Sequence, residues 1–121
     1  MAMEPGSTFC VGDVVLVPFP FTDQSTTKKR PAVVVSSEPY NASWPDIVIM
    51  AITSRVRMPL SFGEAMIIDW RDAGLLEESV LEPVITTIEQ GLVSRRMGKL
   101  SGVDAKALDT VMVCVFASAL Q

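Results

Sequence analysis

The chain contains no histidine. That removes the side chain most often used as a general base near neutral pH and, with only two cysteines set far apart at Cys10 and Cys114, the usual ligand sets for zinc and other transition metals. Neither a metal nor another cofactor is expected. Both cysteines sit in apolar neighbourhoods, "FCVG" and "VMVCVF", where a thiol behaves as a small hydrophobe, so they are read as buried and unpaired. No apolar run approaches the roughly 18 residues of a membrane span, and the first residues lack the basic-then-apolar order of a signal peptide. A cytoplasmic protein with no membrane partner is the expectation. Basic charge is also scarce, 10 Lys and Arg against 14 Asp and Glu. Nonspecific coating of nucleic acid needs a broad basic surface, so any nucleic-acid site here must be local.

What is present suffices for one core: 49% hydrophobic and 20% charged residues over 121 positions. One domain is expected over residues 9–121, after a disordered or expression-derived tail at 1–8, "MAMEPGST". "GDVVLVPFPF", from Gly12 to Phe21, reads as a strand whose second half Pro18 and Pro20 push to an edge or into a loop. A polar loop over 22–29 follows, then strands at "PAVVVSS" and "DIVIMAIT", joined by the turn-rich "EPYNASWP". "EAMIID" reads as a strand running into a short helical turn at "WRDAGL", and "SVLEPVITTI" as a strand interrupted at Pro83. "GLVSRRMGKLS" fits either a short strand or a turn. From Asp104 onward, Ala107, Val111, Cys114 and Val115 recur at helical spacing behind an acidic first turn, which predicts a C-terminal helix. The fold class expected is mainly β with that helix, as a small barrel or strongly curved sheet.

Three of the scarce cations stand together in "TKKRPAVVVSS". Lys28 and Lys29 fall in the loop, whereas Arg30 is pinned where the loop enters an apolar strand. A fixed guanidinium suits a phosphate, because its planar fork donates several hydrogen bonds and its charge is permanent. On composition alone a solvated loop charge or a surface ion pair is the commoner explanation. "ITSR" ends the third strand with Thr53, Ser54 and Arg55, hydroxyls and a cation that can hold a phosphate or simply cap a turn. If the second and third strands are neighbours, Arg30 and Thr53 can face one pocket. Phe19, Phe21, Tyr40, Phe62 and the tryptophans are possible stacking surfaces for unpaired bases, although core packing is the commoner role. Arg95, Arg96 and Lys99 form a second basic cluster, by default solvated.

The ordered set "GDVVLVPFPFTD", "KKRPAVVVSS" and "IVIMAITSR", continued by "IIDWRDAGLLEESVLEP" and "RRMGKLS", resembles the PemK/MazF toxins of type II toxin-antitoxin systems. The resemblance implies a small SH3-like barrel of the CcdB/PemK kind, assembled as a homodimer. It also implies a metal-independent endoribonuclease that cuts single-stranded mRNA and is neutralised by a cognate antitoxin. Matched to the family's motifs, Arg30 is the catalytic arginine, Thr53 the catalytic hydroxyl, and Phe19 an aromatic that helps to place RNA. Lys28, Lys29, Ser54 and Arg55 join Phe19 as expected RNA contacts. Glu82 stands in a segment where some members carry a basic residue.

With no histidine, the proton acceptor for such chemistry falls to a carboxylate, Asp23, Glu64 or Glu82, with Asp23 favoured because it lies in the loop before Arg30. Two other readings stay open, a CcdB-like protein that acts by binding gyrase and a catalytically degenerate member of the family.

Overall fold

A computed structural model describes residues 8–18 and 28–120. Six antiparallel strands form one strongly curled sheet: β1 (Asp13–Val17), β2 (Arg30–Val34), β3 (Asp46–Thr53), β4 (Ala65–Met66), β5 (Val80–Glu89) and β6 (Arg95–Lys99). Their order across the sheet is β4-β5-β3-β2-β1-β6, and α2 (Gly102–Leu120) packs over one face. The half-barrel with a C-terminal helix is the expected class, and the first three strands are neighbours in space as they are in sequence.

Both faces of the central strands are buried, which is why these segments read as continuous apolar runs rather than alternating ones. On one face Val14, Val33, Met50, Ile52 and Leu81 pack with Leu108 and Val111 of α2. On the other, Val15, Val17, Ala32, Val34, Ile49 and Ala51 form a second cluster with Phe9 and Ile88. At about 25 cal/mol per Å2 of apolar surface, each fully buried valine or isoleucine stabilises the fold by roughly 1.5–3 kcal/mol before chain entropy is subtracted. The strand ends are thereby rigid.

Several expectations are corrected. The segment "EPYNASWP" contains a helix, α1 (Glu38–Ser43), whose Ser37 cap accepts from the Tyr40 backbone N–H and whose Pro39 stands in the first turn, where a missing N–H costs nothing. "EAMIID" supplies only the two residues of β4. β5 continues through Pro83, because the register against β3 shifts between Met50 and Ile52 and the bulge takes up the residue that cannot donate. "GLVSRRMGKLS" divides into a 3-10 turn (Gln90–Leu92) and β6. "WRDAGL" is a succession of turns ending at Gly74, φ 82°. That turn lies so close to β6 that a Cβ on Gly98 would stand 2.5 Å from the Ala73 carbonyl oxygen.

The inner face of α2 is Asp104, Leu108 and Val111, not the predicted stripe through Cys114 and Val115, which are exposed. Cys10 is half-buried and Cys114 exposed, so the expectation of two buried thiols fails. The helix kinks at Phe116, which leaves helical dihedrals (φ −118°, ψ 22°). At its start, Ser101 and Asp104 cap each other, and the fully buried Asp104 carboxylate accepts from the backbone N–H groups of Ile68 and Asp69, both at 2.8 Å. β3 is internal to the sheet, between β5 and β2. Among the described residues no helix is long and apolar enough to cross a membrane.

Candidate active site at the strand ends

β2 begins with Arg30 and β3 ends with Thr53. The register between them sets Ala32 opposite Ala51 and Val34 opposite Ile49. Continued to the strand ends, it sets Arg30 opposite Thr53. Arg30 also pairs across β1 with Val17, and Thr53 across β5 with Val80. Strand alternation puts Arg30 with Ala32 and Val34, and Thr53 with Ile49 and Ala51, so both project from the face of the second core cluster. Residues far apart in sequence are thus fixed side by side on a stiff support.

Arg30 is half-buried, and its Nε is buried with no hydrogen-bond partner among the described residues. Buried donors are nearly always paired, and an unpaired one costs about 1–3 kcal/mol. The remaining N–H groups of the planar Arg30 fork can donate to an oxyanion. Thr53 is half-buried; its Oγ1 accepts from the Arg55 backbone N–H at 3.1 Å, which orients the hydroxyl and leaves its hydrogen to donate elsewhere. Cation and hydroxyl thus stand on one face at neighbouring strand ends.

Lys28 and Lys29 are exposed immediately before Arg30, and Ser54 and Arg55 are exposed immediately after Thr53. Phe19 and Asp23 lie outside the described residues. Glu64 caps a turn, its Oε1 accepting from the Ser61 backbone N–H at 2.8 Å. Glu82 has a different placement. The register shift leaves the alternation of β5 intact, so half-buried Glu82 shares a face with Val84 and Ile88, and hence with Arg30 and Thr53. Of the three carboxylates considered as proton acceptors, it is the described one on the site's face.

Arg96 and Lys99 of the second basic cluster do not extend the site. Asp13, 7% exposed, accepts from Arg96 Nη1 at 2.9 Å and from the Cys10 backbone N–H at 2.9 Å, and Lys99 Nζ lies 3.5 Å away. The Arg96 guanidinium also covers the Phe9 ring at 4.2 Å. Arg96 and Lys99 thus neutralise a buried carboxylate and clamp the segment before β1. Beside Ser54 lies an open pocket lined by Ser54, Val56, Trp70, Leu76, Glu77 and Glu78, which the sequence reading missed. No local pattern marks it, because three loops build it.

An antiparallel half-barrel with an arginine and a hydroxyl at neighbouring strand ends is a small β-rich protein with a candidate anion site. The chain belongs to the PemK-like, MazF-like toxins of type II toxin-antitoxin systems, whose family model matches residues 11–116. Solved structures share the fold. The Mycobacterium tuberculosis toxin MazF-mt6 is 21% identical, with TM-score 0.67 over 87% of this chain and 96% of that one. MazE-MazF from Deinococcus radiodurans gives 15% identity and TM-score 0.69 over 90% and 95%. An endoribonuclease in complex with its cognate antitoxin from a mycobacterial species gives 14% identity and TM-score 0.69 over 91% and 94%. None of the curated protein sequences matches the chain.

Proposed function

We propose that the chain is a toxin endoribonuclease that cuts single-stranded RNA without a metal ion. What carries this reading is the β2–β3 register, which, continued from the Ala32–Ala51 pair to the strand ends, sets Arg30 opposite Thr53 on one buried apolar support. RNA supplies its own nucleophile, the 2′-hydroxyl, so the protein needs only to position the phosphate, stabilise developing charge and move protons. Arg30 holds the nonbridging oxygens and donates to them as negative charge grows. Thr53 donates its hydroxyl hydrogen to the same phosphate and keeps the 2′-oxygen in line. A carboxylate accepts the 2′-proton: Asp23 in the β1–β2 connection, or Glu82 on the site's own face. The 5′-oxygen takes a proton from the Arg30 guanidinium, which regains one from solvent, and leaves, giving a 2′,3′-cyclic phosphate and a 5′-hydroxyl end. Lys28, Lys29, Arg55, Ser54 and Phe19 hold the flanking strand.

The family and the relatives described as MazE-MazF and as an endoribonuclease with its cognate antitoxin support an antitoxin partner that covers this site. The exposed Val113, Val115 and Phe116 of α2 supply apolar surface for a homodimer. Such a protein acts on cytoplasmic mRNA. The test is incubation of purified protein with long single-stranded RNA in EDTA beside Arg30→Ala, with mapping of 5′-hydroxyl ends. Discrete cuts lost in the variant are expected. Intact RNA across several substrates would transfer the reading to a gyrase-binding or catalytically dead member.

A further inference from the structure

β5 departs from regular pairing beside the site. Its register against β3 runs from Met50–Ile85 to Ile52–Leu81, so Glu82, Pro83 and Val84 all stand opposite the single Ala51. Bulges gather beside functional sites, where they re-aim a side chain. Pro83, at the centre of this one, has no N–H to lose from the ladder, and it confines the residue before it, Glu82, to extended backbone. The 61–64 turn closes on the bulge from the other side: a Cβ on Gly63 would stand 3.2 Å from the Pro83 ring. Glu64 is occupied within that turn, accepting from the Ser61 N–H. Glu82 is thus held in direction, half-buried, and forms no ion pair with a described residue.

Thr53 pairs with Val80, two residues before Glu82 and on the same face, which makes Glu82 its diagonal neighbour. Diagonal positions lie about 7–8 Å apart, within reach of a long side chain. Arg30 stands on the opposite flank of Thr53, because the strand order is β5-β3-β2. A phosphate over Thr53 therefore has a carboxylate on one side and a guanidinium on the other. In-line displacement calls for that division, since the attacking 2′-oxygen and the leaving 5′-oxygen lie on opposite sides of the phosphorus. An ionised carboxylate, which only accepts, suits the oxygen that loses a proton; a guanidinium, which only donates, suits the oxygen that gains one.

We propose, resting on the ribonuclease reading, that Glu82 takes the 2′-proton and that RNA crosses β3 with a fixed polarity: the nucleotide 5′ of the cut lies toward β5, the one 3′ of it toward β2. As the O2′–P bond forms, the proton passes to the Glu82 carboxylate. The P–O5′ bond breaks with its electron pair on O5′, which takes the Arg30 proton, and solvent restores both side chains. The test compares the parent, Glu82→Gln and Arg30→Ala on single-stranded RNA in EDTA, with oxygen or sulfur at the bridging 5′ position of the mapped cut. Glu82→Gln should cut ordinary RNA about 100-fold or more slowly. It should bind a strand that is 2′-deoxy at the cut at least as tightly as the parent, since a charge that repels phosphate is gone. A sulfur leaving group needs no proton, so it should speed Arg30→Ala by at least about tenfold and leave Glu82→Gln slow. Cleavage by Glu82→Gln at or above the parent rate makes Glu82 a repulsive neighbour and overturns the proposal, as does equal rescue of both variants by sulfur. In either case a parent that cuts and an Arg30→Ala that does not would keep the ribonuclease reading. A parent that cuts no RNA overturns both.

Discussion

Replacing Arg30 with methionine should make the protein more stable and nearly inactive. The Arg30 Nε is buried without a partner among the described residues, and such a donor costs about 1–3 kcal/mol. Methionine keeps an unbranched stem of similar reach, with no donor to satisfy. Because Arg30 as a whole is only half-buried, the lower end of that range applies, a gain of about 1 kcal/mol. In a domain of 121 residues this raises the melting temperature by about 3–6 °C. The urea midpoint should rise with an unchanged slope, while RNA cleavage falls about 100- to 1,000-fold, the usual loss on removing a donor to developing oxyanion charge. Arg30→Lys should fall between, since lysine keeps the charge and loses the planar fork. Calorimetry and a gel-based cleavage assay read the two quantities separately. A melting temperature several degrees lower in Arg30→Met would show that the guanidinium holds the strand ends together, and undiminished cleavage would show that the phosphate binds elsewhere.

Thr53→Ala should lower cleavage about 100-fold or more, and Thr53→Ser should stay within about tenfold of the parent, because serine keeps the donor at the same strand end; equal loss in both would point to packing of the methyl group. Gly98→Ala should destabilise by about 1–3 kcal/mol in urea unfolding, since the new Cβ meets the backbone of Ala73 at 2.5 Å, which cannot swing aside. A neutral result there would mean that the 69–74 turn is free to move off β6. Asp104→Asn should cost about 2 kcal/mol, because an amide can turn only one acceptor toward the two N–H groups of Ile68 and Asp69. Cleavage per folded molecule should not change in that variant.

Much of the fold was legible because it rests on local chemistry. β1, β2 and β3 are β-branched runs bounded by turn residues, and Asp104 marks the acidic first turn of a helix. Errors fell where distant packing outweighed local preference. Pro83 reads as a break, yet β5 absorbs it in a bulge beside β3. Val111 of the predicted helical stripe is buried as expected, yet Cys114 and Val115 are exposed and Leu108 completes the covered face. α1 was hidden by its own proline and turn-forming residues.

Within the site, the sequence determined the chemical inventory: one arginine locked by a following proline, a hydroxyl at a strand end, carboxylates but no imidazole. These follow from residue identity and immediate neighbours. Which groups share a place was decided only by the tertiary structure. The β2–β3 register, continued to the strand ends, sets Arg30 opposite Thr53, the parity of β5 puts Glu82 on their face, and Asp13 took Arg96 and Lys99 out of contention. Register and face depend on how strands from across the chain bury their apolar sides together, and a one-residue slip would turn each of these side chains to the opposite face.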